Sequence, residues 1–355
     1  MGKVAGGLAA AVLLTACGTA GAPVVPPQTT PATPATPPPA SAPAAPVQAL
    51  EEAYERVIAE VLPSIVQINT KVGLGSGVVY DAEGHVITNA HVVGEATVMN
   101  VTFATGGSPR KARLVKTFAA GDLAVIKVDD AQGLQPARWG DSAKLRVGQL
   151  VLAMGNPLGL SGSVTEGIVS ALGRTVTEPE SPGSTGATIA GAIQTSASIN
   201  PGNSGGALVD LSGRVIGIPT LAASDPTMGG AAPGIGFAIP SNIALDIAAQ
   251  IIEHGKVINS HRAALGIRGN TIIGADGQPT GVGVGVVEKS SAAARAGLRE
   301  GDVIIAIGGR STSTMAELTE ALTTHRPGDT VPLKVVRPDG KTDTVTVTLG
   351  ELSGE

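Results

Sequence analysis

Short apolar runs alternate with turns through the middle of the chain, and this rhythm constrains the fold more than any other feature. Up to Ile239 the runs recur about every eight to twelve residues, separated by glycine, asparagine, aspartate and proline. Such spacing is typical of antiparallel sandwiches and barrels, and periodicity alone does not choose between them. Helical spacing of apolar residues predicts a helix over 51–62 before these strands. A second helix is predicted over 241–254, capped by Ser241 and ended by Gly255.

A glycine-rich turn over residues 200–206, with the sequence NPGNSGG, contains Ser204. The backbone amides of such a turn can point at the same place as the serine hydroxyl. Acyl transfer requires this arrangement, a nucleophile beside donors that stabilise the oxyanion of a tetrahedral intermediate. The glycines leave room for a substrate carbonyl to approach the backbone. By itself the segment is also compatible with an ordinary tight turn.

Two further segments contain the partners that a serine nucleophile needs. His91 follows a strand-like run that ends near Ile87, and Asp122 stands at the start of the next such run. A neutral imidazole accepts the proton of the serine, and a carboxylate orients the imidazole and stabilises its charged form. The order His, Asp, Ser along the chain matches the double β-barrel serine proteases and differs from the orders in subtilisins and α/β-hydrolases.

These segments resemble the three catalytic motifs of the HtrA (Deg) family of serine proteases. The matching stretches are TNAHVV at 88–93, DLAVIKV at 122–128 and NPGNSGGAL at 200–208, and flanking matches extend over most of residues 51–255. The resemblance implies a mainly β fold, a chymotrypsin-like double β-barrel of six strands each, over residues 50–255. It also implies a site composed of His91 as general base, Asp122 as its orienting carboxylate, Ser204 as nucleophile, and the N–H groups of Gly202 and Ser204 as the oxyanion hole.

The same analogy predicts the primary specificity pocket. Its borders would be Ile199, Ile218 and Thr220. The residue six positions before the nucleophile is Ser198, so the pocket has no carboxylate there to bind a basic substrate side chain. We therefore expect small aliphatic residues at the cleaved bond. Ser196 stands where the family often has aspartate, a departure next to the nucleophile turn.

Residues 264–350 form a second unit that resembles a PDZ domain, a small α+β fold with a partly open barrel. The run AARAGLREGDVI at 293–304 carries the resemblance. By analogy Leu265, Gly266 and Ile267 belong to the loop that captures the C-terminal carboxylate of a peptide, beside a helix predicted over 315–325. The alternative is a PDZ domain that only packs on the protease.

The first residues have the features of an export signal. Residues 1–17 carry Lys3 and a short apolar run, and end in LTAC, which resembles a bacterial lipobox with Cys17 as the lipidated residue. Residues 18–49, rich in proline and alanine, predict a disordered, extended linker. We expect a lipid-anchored protein on the outer side of a bacterial cell membrane; the alternative is a cleaved signal and a secreted or periplasmic protein.

Three functions fit these observations. The first is an ATP-independent extracytoplasmic endopeptidase that degrades misfolded or envelope proteins and is regulated by peptides at the PDZ groove. The second is a proteolytically idle chaperone or peptide-binding sensor, and the third is a scaffold at the cell surface. Relatives commonly form trimers, for which Tyr54 and Phe237 are candidate contacts. The net charge of −5, without a Lys/Arg cluster, argues against nucleic acid as a partner, and no cofactor or metal site is expected.

Overall fold

The computed structural model describes residues 45–71, 73–156, 162–177, 180–181, 184–200, 202–225 and 230–353. They belong to one compact unit that begins at Ala45. Cys17, the signal segment and the linker up to residue 44 lie outside the described residues, so the predictions made for them stay predictions.

Strands dominate the described part of the chain. The helices are α1 Ala45–Val61, α2 Ala90–Val93, α3 Ser241–His254, α4 Ala292–Arg295 and α5 Met315–Leu322, with 3₁₀ turns at Leu62–Ser64, Ala119–Gly121 and Ser142–Lys144. The strands up to the end of α3 are β1 Ile65–Asn69, β2 Leu74–Val79, β3 His85–Thr88, β4 Val98–Phe103, β5 Arg110–Phe118, β6 Leu123–Val128, β7 Leu150–Gly155, β8 Ser163–Thr177, β9 Glu180–Ser181, β10 Ser184–Thr185, β11 Thr188–Thr195, β12 Ala207–Asp210, β13 Val215–Asp225 and β14 Gly230–Pro240. After α3 follow β15 Ala263–Ala264, β16 Ile267–Ile273, β17 Pro279–Val287, β18 Val303–Ile307, β19 Arg310–Ser311, β20 Thr330–Val336, β21 Thr342–Thr348 and β22 Gly350–Glu351.

Two closed antiparallel barrels of six strands each form the larger part of the fold. The first has the order β1-β2-β3-β6-β5-β4, and β1 closes it on β4; the second has the order β11-β14-β13-β12-β7-β8, and β11 closes it on β8. Aliphatic side chains fill both, such as Ile68 and Ile126 in the first and Leu208 in the second, all fully buried. The expected double β-barrel is therefore confirmed, and closure settles the choice between barrel and sandwich.

Helices α1 and α3 flank the barrels and bury their apolar faces against a shared core. Helix α1 begins at Ala45, so residues 45–49 are helical and the linker predicted over 18–49 is too long. A proline at position 46 is compatible with this start, because the first turn of a helix leaves its N–H groups without intrahelical acceptors. Ser241 was expected to cap α3, but its Oγ donates to the carbonyl of Gly140 at 2.7 Å. Gly255 ends α3 as expected, in the left-handed conformation.

Residues after α3 form a smaller sheet with the order β16-β17-β18-β20-β21, with β19 paired to β18. Helices α4 and α5 pack on it around a core of Leu318, Val335 and other aliphatic residues. Helix α5 ends at Leu322, earlier than predicted, because the hydroxyls of Thr323 and Thr324 donate to carbonyls three residues back at 2.7 and 2.8 Å. Strand β16 lies at the edge of this sheet and faces α5, as in a peptide-binding PDZ domain.

Candidate functional site

Asp122 stands at the end of the 3₁₀ turn that precedes β6. Its backbone is left-handed, with φ 54°, a conformation that is uncommon for a residue with a side chain and is often found at functional sites. The side chain is completely buried. Its Oδ1 accepts the backbone N–H of His91 at 3.0 Å, and its Oδ2 lies 2.9 Å from His91 Nδ1. The carboxylate therefore holds both the main chain and the ring of the histidine.

His91 lies on the one-turn helix α2, directly after β3. Its neighbours Val92 and Val93 are buried in the first barrel, so the helix is anchored while the His91 side chain remains 20% exposed. Asn89 strengthens this junction, since its Nδ2 donates to the backbone carbonyl of Asp122 at 2.9 Å. The imidazole thus has its Nδ1 on a buried carboxylate.

Thr220 on β13 connects the carboxylate with the serine. Its Oγ1 donates to Asp122 Oδ2 at 2.5 Å, and its carbonyl oxygen accepts the hydroxyl of Ser204 at 3.0 Å. A carbonyl oxygen can only accept, so in this conformation the Ser204 proton is directed to Thr220. Rotation about the serine side chain is required before that proton can pass to an imidazole.

The turn around Ser204 is formed by backbone that only glycine adopts easily. Gly202 and Gly205 have φ values of 111° and 78°, and a Cβ at Gly205 would lie 2.3 Å from the Ser76 carbonyl oxygen. The N–H of Asn203 donates within the turn. In the described part of the chain, the N–H groups of Gly202 and Ser204 have no acceptor. Two unused donors, one on the nucleophile itself and one two residues before it, are what the oxyanion of a tetrahedral intermediate needs.

Ser76 on β2 holds this turn from the opposite barrel, a contact that the sequence analysis missed. The Ser76 side chain is fully buried, its Oγ donates to the carbonyl of Gly202, and it accepts the backbone N–H of Asn156 at 2.8 Å. The Ser76 N–H also donates to the carbonyl of Ser204 at 2.9 Å. One serine thereby ties the nucleophile turn to both barrels. The sequence GSG at 75–77 marks the position, but not the partners of the hydroxyl.

The residues predicted for the specificity pocket differ in exposure. Ile199 is 7% exposed and packs against Gly236, where an added Cβ would lie 2.5 Å from its Cγ1. Ile218 is fully buried in the core and offers no surface to a substrate, contrary to the expectation. Thr220 contacts the carboxylate described above. Ser196, at the position of the family's aspartate, accepts the N–H of Ile168 with its Oγ at 3.0 Å, so the hydroxyl still ties this segment to β8.

A cavity of about 170 Å³ lies between β16 and α5, at the place predicted for the PDZ groove. Leu265, Gly266 and Ile267 line one end, and Met315, Leu318 and Leu322 of α5 line the wall. Within the described residues, the N–H groups of Leu265 and Gly266 donate to no acceptor. The geometry leaves these amides available to a carboxylate.

Among the residues that the structure describes, no helix is long and apolar enough to cross a bilayer. No group of three or more His, Cys, Asp or Glu side chains in that part of the chain could hold a metal ion.

Comparisons with known proteins identify both parts of the chain. The model of the trypsin-like peptidase domain matches residues 75–218, and that of the PDZ domain matches residues 257–349. The serine protease PepD of Mycobacterium tuberculosis is 39% identical over 314 residues, 84% of this chain and 66% of the relative. The periplasmic serine endoprotease DegP of Escherichia coli is 41% identical over 291 residues, 79% of this chain and 57% of the relative. The chain thus spans less than two thirds of the length of these curated relatives.

Solved structures agree with this assignment. An HtrA-type protease, AlgW with a decapeptide, is 32% identical with a TM-score of 0.56, and the match covers 84% of this chain and 98% of that one. A serine endoprotease from Yersinia pestis is 33% identical with a TM-score of 0.55 and the same coverage of both chains. The double barrel, the arrangement of His91, Asp122 and Ser204, and these matches lead to one conclusion: the chain belongs to the HtrA family of trypsin-like serine proteases with a PDZ domain.

Proposed function

We propose that this protein is an ATP-independent serine endopeptidase that cleaves unfolded or envelope proteins outside the cytoplasm. The observation that carries the proposal is the completely buried Asp122 carboxylate, which accepts from both the backbone and the ring of His91. A scaffold or binding protein has no need of an imidazole oriented in this way by a buried carboxylate. Periplasmic location in the name of DegP supports an extracytoplasmic site of action.

Each residue of the site has a defined role in the proposed reaction. Ser204 Oγ attacks the substrate carbonyl carbon while His91 Nε2 takes its proton, and Asp122 stabilises the resulting imidazolium. The N–H groups of Gly202 and Ser204 stabilise the oxyanion. His91 then returns the proton to the leaving amine as the peptide bond breaks, and an attacking water, deprotonated by His91, releases the acyl group from Ser204.

The direction of the Ser204 hydroxyl favours a resting state in which the enzyme is off. Since the hydroxyl donates to the Thr220 carbonyl, the nucleophile must rotate before reaction. This observation keeps the alternative, an idle chaperone or peptide sensor, as a second candidate. Peptides with a free C-terminal carboxylate are the proposed regulators, because the unused amides of Leu265 and Gly266 and the apolar wall of α5 suit such a ligand.

The test compares the full-length chain with its Ser204→Ala variant. Both are incubated with an unfolded protein, with and without hydrophobic C-terminal peptides and their amidated counterparts. Cleavage by the first chain and not by the variant, enhanced by the free-acid peptides, is the expected result. Binding of the unfolded protein without cleavage under either condition would support the chaperone or sensor instead.

Two proposals concern location and assembly. Lipidation of Cys17 is tested by metabolic labelling with an alkyne fatty acid, which should be lost in Cys17→Ser. For a homotrimer, light scattering should give three times the protomer mass. Tyr54 and Phe237 are half-buried and pack against the core, so their exposed edges are the parts available to a neighbouring protomer.

A further inference from the structure

A second cavity, of about 320 Å³, lies where the residues leading into the PDZ domain meet the barrels and α3; we name it the junction cavity. It is separate from the nucleophile and its volume falls in the range of roughly 300–1,000 Å³ found for sites of small ligands. Its wall is largely aliphatic and aromatic, formed by Phe118, Leu123, Ile189, Ile239, Ile243 and Ile247. Ile243 remains 40% exposed at this site, so part of the apolar wall is open to solvent.

Arg262 places a positive charge on this apolar cavity. Its Nη1 donates to the carbonyl of Ala120 at 2.6 Å. Among the described residues this is the one hydrogen bond that the guanidinium makes, and no carboxylate there lies at ion-pair distance from it. A guanidinium carries five N–H donors. Burial lowers the pKa of Arg262 to about 10, which leaves it protonated at neutral pH. The cavity thus contains a partly desolvated cation with donors to spare.

The acidic residue that lines the cavity is already occupied by its neighbours. Asp246 Oδ2 accepts from Gln250 Nε2 at 2.9 Å and lies 3.4 Å from His261 Nε2. An incoming carboxylate is repelled by Asp246 and attracted by Arg262, so the charges orient a ligand with its acid group at the arginine. The apolar wall then receives the rest of the molecule.

We propose that the junction cavity binds an aliphatic monocarboxylate, with its acid group paired to Arg262 and its chain among the isoleucines. The planar guanidinium matches a carboxylate with two parallel hydrogen bonds, and burial of the chain supplies the hydrophobic contribution. Ala120 belongs to the 3₁₀ turn that ends at Asp122. The Arg262 guanidinium would therefore contact both the bound ligand and the turn that carries the Asp122 side chain. The proposal is independent of whether the enzyme cleaves peptides.

The test is isothermal titration calorimetry on the full-length chain carrying Ser204→Ala, with octanoate and octan-1-ol as probes. Octanoate should bind and octan-1-ol should bind at least about tenfold more weakly, since a hydrogen-bonded charge contributes more than a neutral donor. Arg262→Gln should weaken octanoate about tenfold. The matched control is Arg295→Gln, because Arg295 Nη1 also donates to a backbone carbonyl at 2.6 Å but lies outside the cavity; it should leave binding unchanged.

A second variant keeps the arginine and fills the space. Ala190→Phe adds a ring to the wall of the junction cavity and should abolish octanoate binding, with folding checked by circular dichroism and thermal unfolding. The proposal is wrong if octanoate does not bind, if octan-1-ol binds equally well, or if Arg262→Gln has no more effect than Arg295→Gln. Octanoate binding that survives Ala190→Phe in a folded protein would also overturn it.

Discussion

Ser76→Ala removes one buried hydroxyl that connects three segments, and it should lower both the stability of the fold and the catalytic rate. The hydroxyl donates to the Gly202 carbonyl and accepts the Asn156 N–H at 2.8 Å. Without it, a buried acceptor and a buried donor lose their partner. The Gly202 carbonyl belongs to the turn whose N–H groups are the proposed oxyanion donors, so the substitution loosens the turn while keeping Ser204 and His91.

The magnitudes follow from these contacts. Each unsatisfied buried polar group costs about 1–3 kcal/mol, and two groups lose their partner, so Ser76→Ala should lower the free energy of unfolding by about 2–6 kcal/mol. Loss of one oxyanion donor costs about 10²–10³ in kcat, and a misplacement of about 1 Å costs about a hundredfold. Because the donors are displaced and not removed, we expect kcat to fall about tenfold to a hundredfold, with KM nearly unchanged.

The assay measures steady-state cleavage of a chromogenic peptide well below the unfolding temperature, together with urea unfolding. Ser241→Ala is the matched control, since Ser241 is equally buried and its hydroxyl also donates to a glycine carbonyl, that of Gly140, at 2.7 Å. The control should lose stability, by about 1–3 kcal/mol, and keep its kcat. If Ser76→Ala retains the kcat of the control, Ser76 has a structural role alone and the reasoning fails.

Three further outcomes are expected. Thr220→Val removes the hydroxyl that donates to the buried carboxylate at 2.5 Å, so it should lower kcat about tenfold and the free energy of unfolding by about 1.5–3 kcal/mol in urea. An unchanged kcat would contradict the catalytic role of this bond. Asp81 is partly desolvated, which raises its pKa, but hydrogen bonds from the backbone and ring of His85 outweigh this and lower the pKa overall. Its contribution to stability is thus present above the unfolded pKa near 4 and lost as pH falls below it, so Asp81→Asn should lower the urea midpoint at pH 7 and have little effect at pH 3. Arg337→Met leaves the completely buried Asp302 carboxylate without its cation at 2.7 Å, and should destabilise the PDZ domain by about 3 kcal/mol in urea unfolding; a loss under about 1 kcal/mol would show that the pair contributes little.

Local signals were enough to propose much of the site. His91, Asp122 and Ser204 were proposed from short motifs because each motif couples a reactive side chain to a strand end or a glycine turn. The same kind of signal located Gly255 at the end of α3, where a left-handed residue closes the helix. The carboxylate loop of the PDZ domain was proposed in this way as well.

Features that depend on partners far along the chain were not predicted. Ser241 has a residue type that often caps helices, yet its hydroxyl donates a hydrogen bond to the carbonyl of Gly140, 101 positions away. Ile218 was expected to border the specificity pocket, yet the core covers it completely. In the sequence, Ser76 is only a serine between two glycines. The tertiary structure brings the Gly202 carbonyl and the Asn156 N–H to its hydroxyl.

The sequence by itself determined the strand rhythm, the order of the reactive residues and the family, because these depend on neighbouring residues. The tertiary structure alone decided that the strands close into barrels, that Thr220 and Ser76 hold the two halves of the site, and that Arg262 lies on an apolar cavity. The physical reason is that a hydrogen bond or a buried charge depends on which distant segments pack together. Period-two patterning specifies which face of a strand is buried, but not the strand that it pairs with.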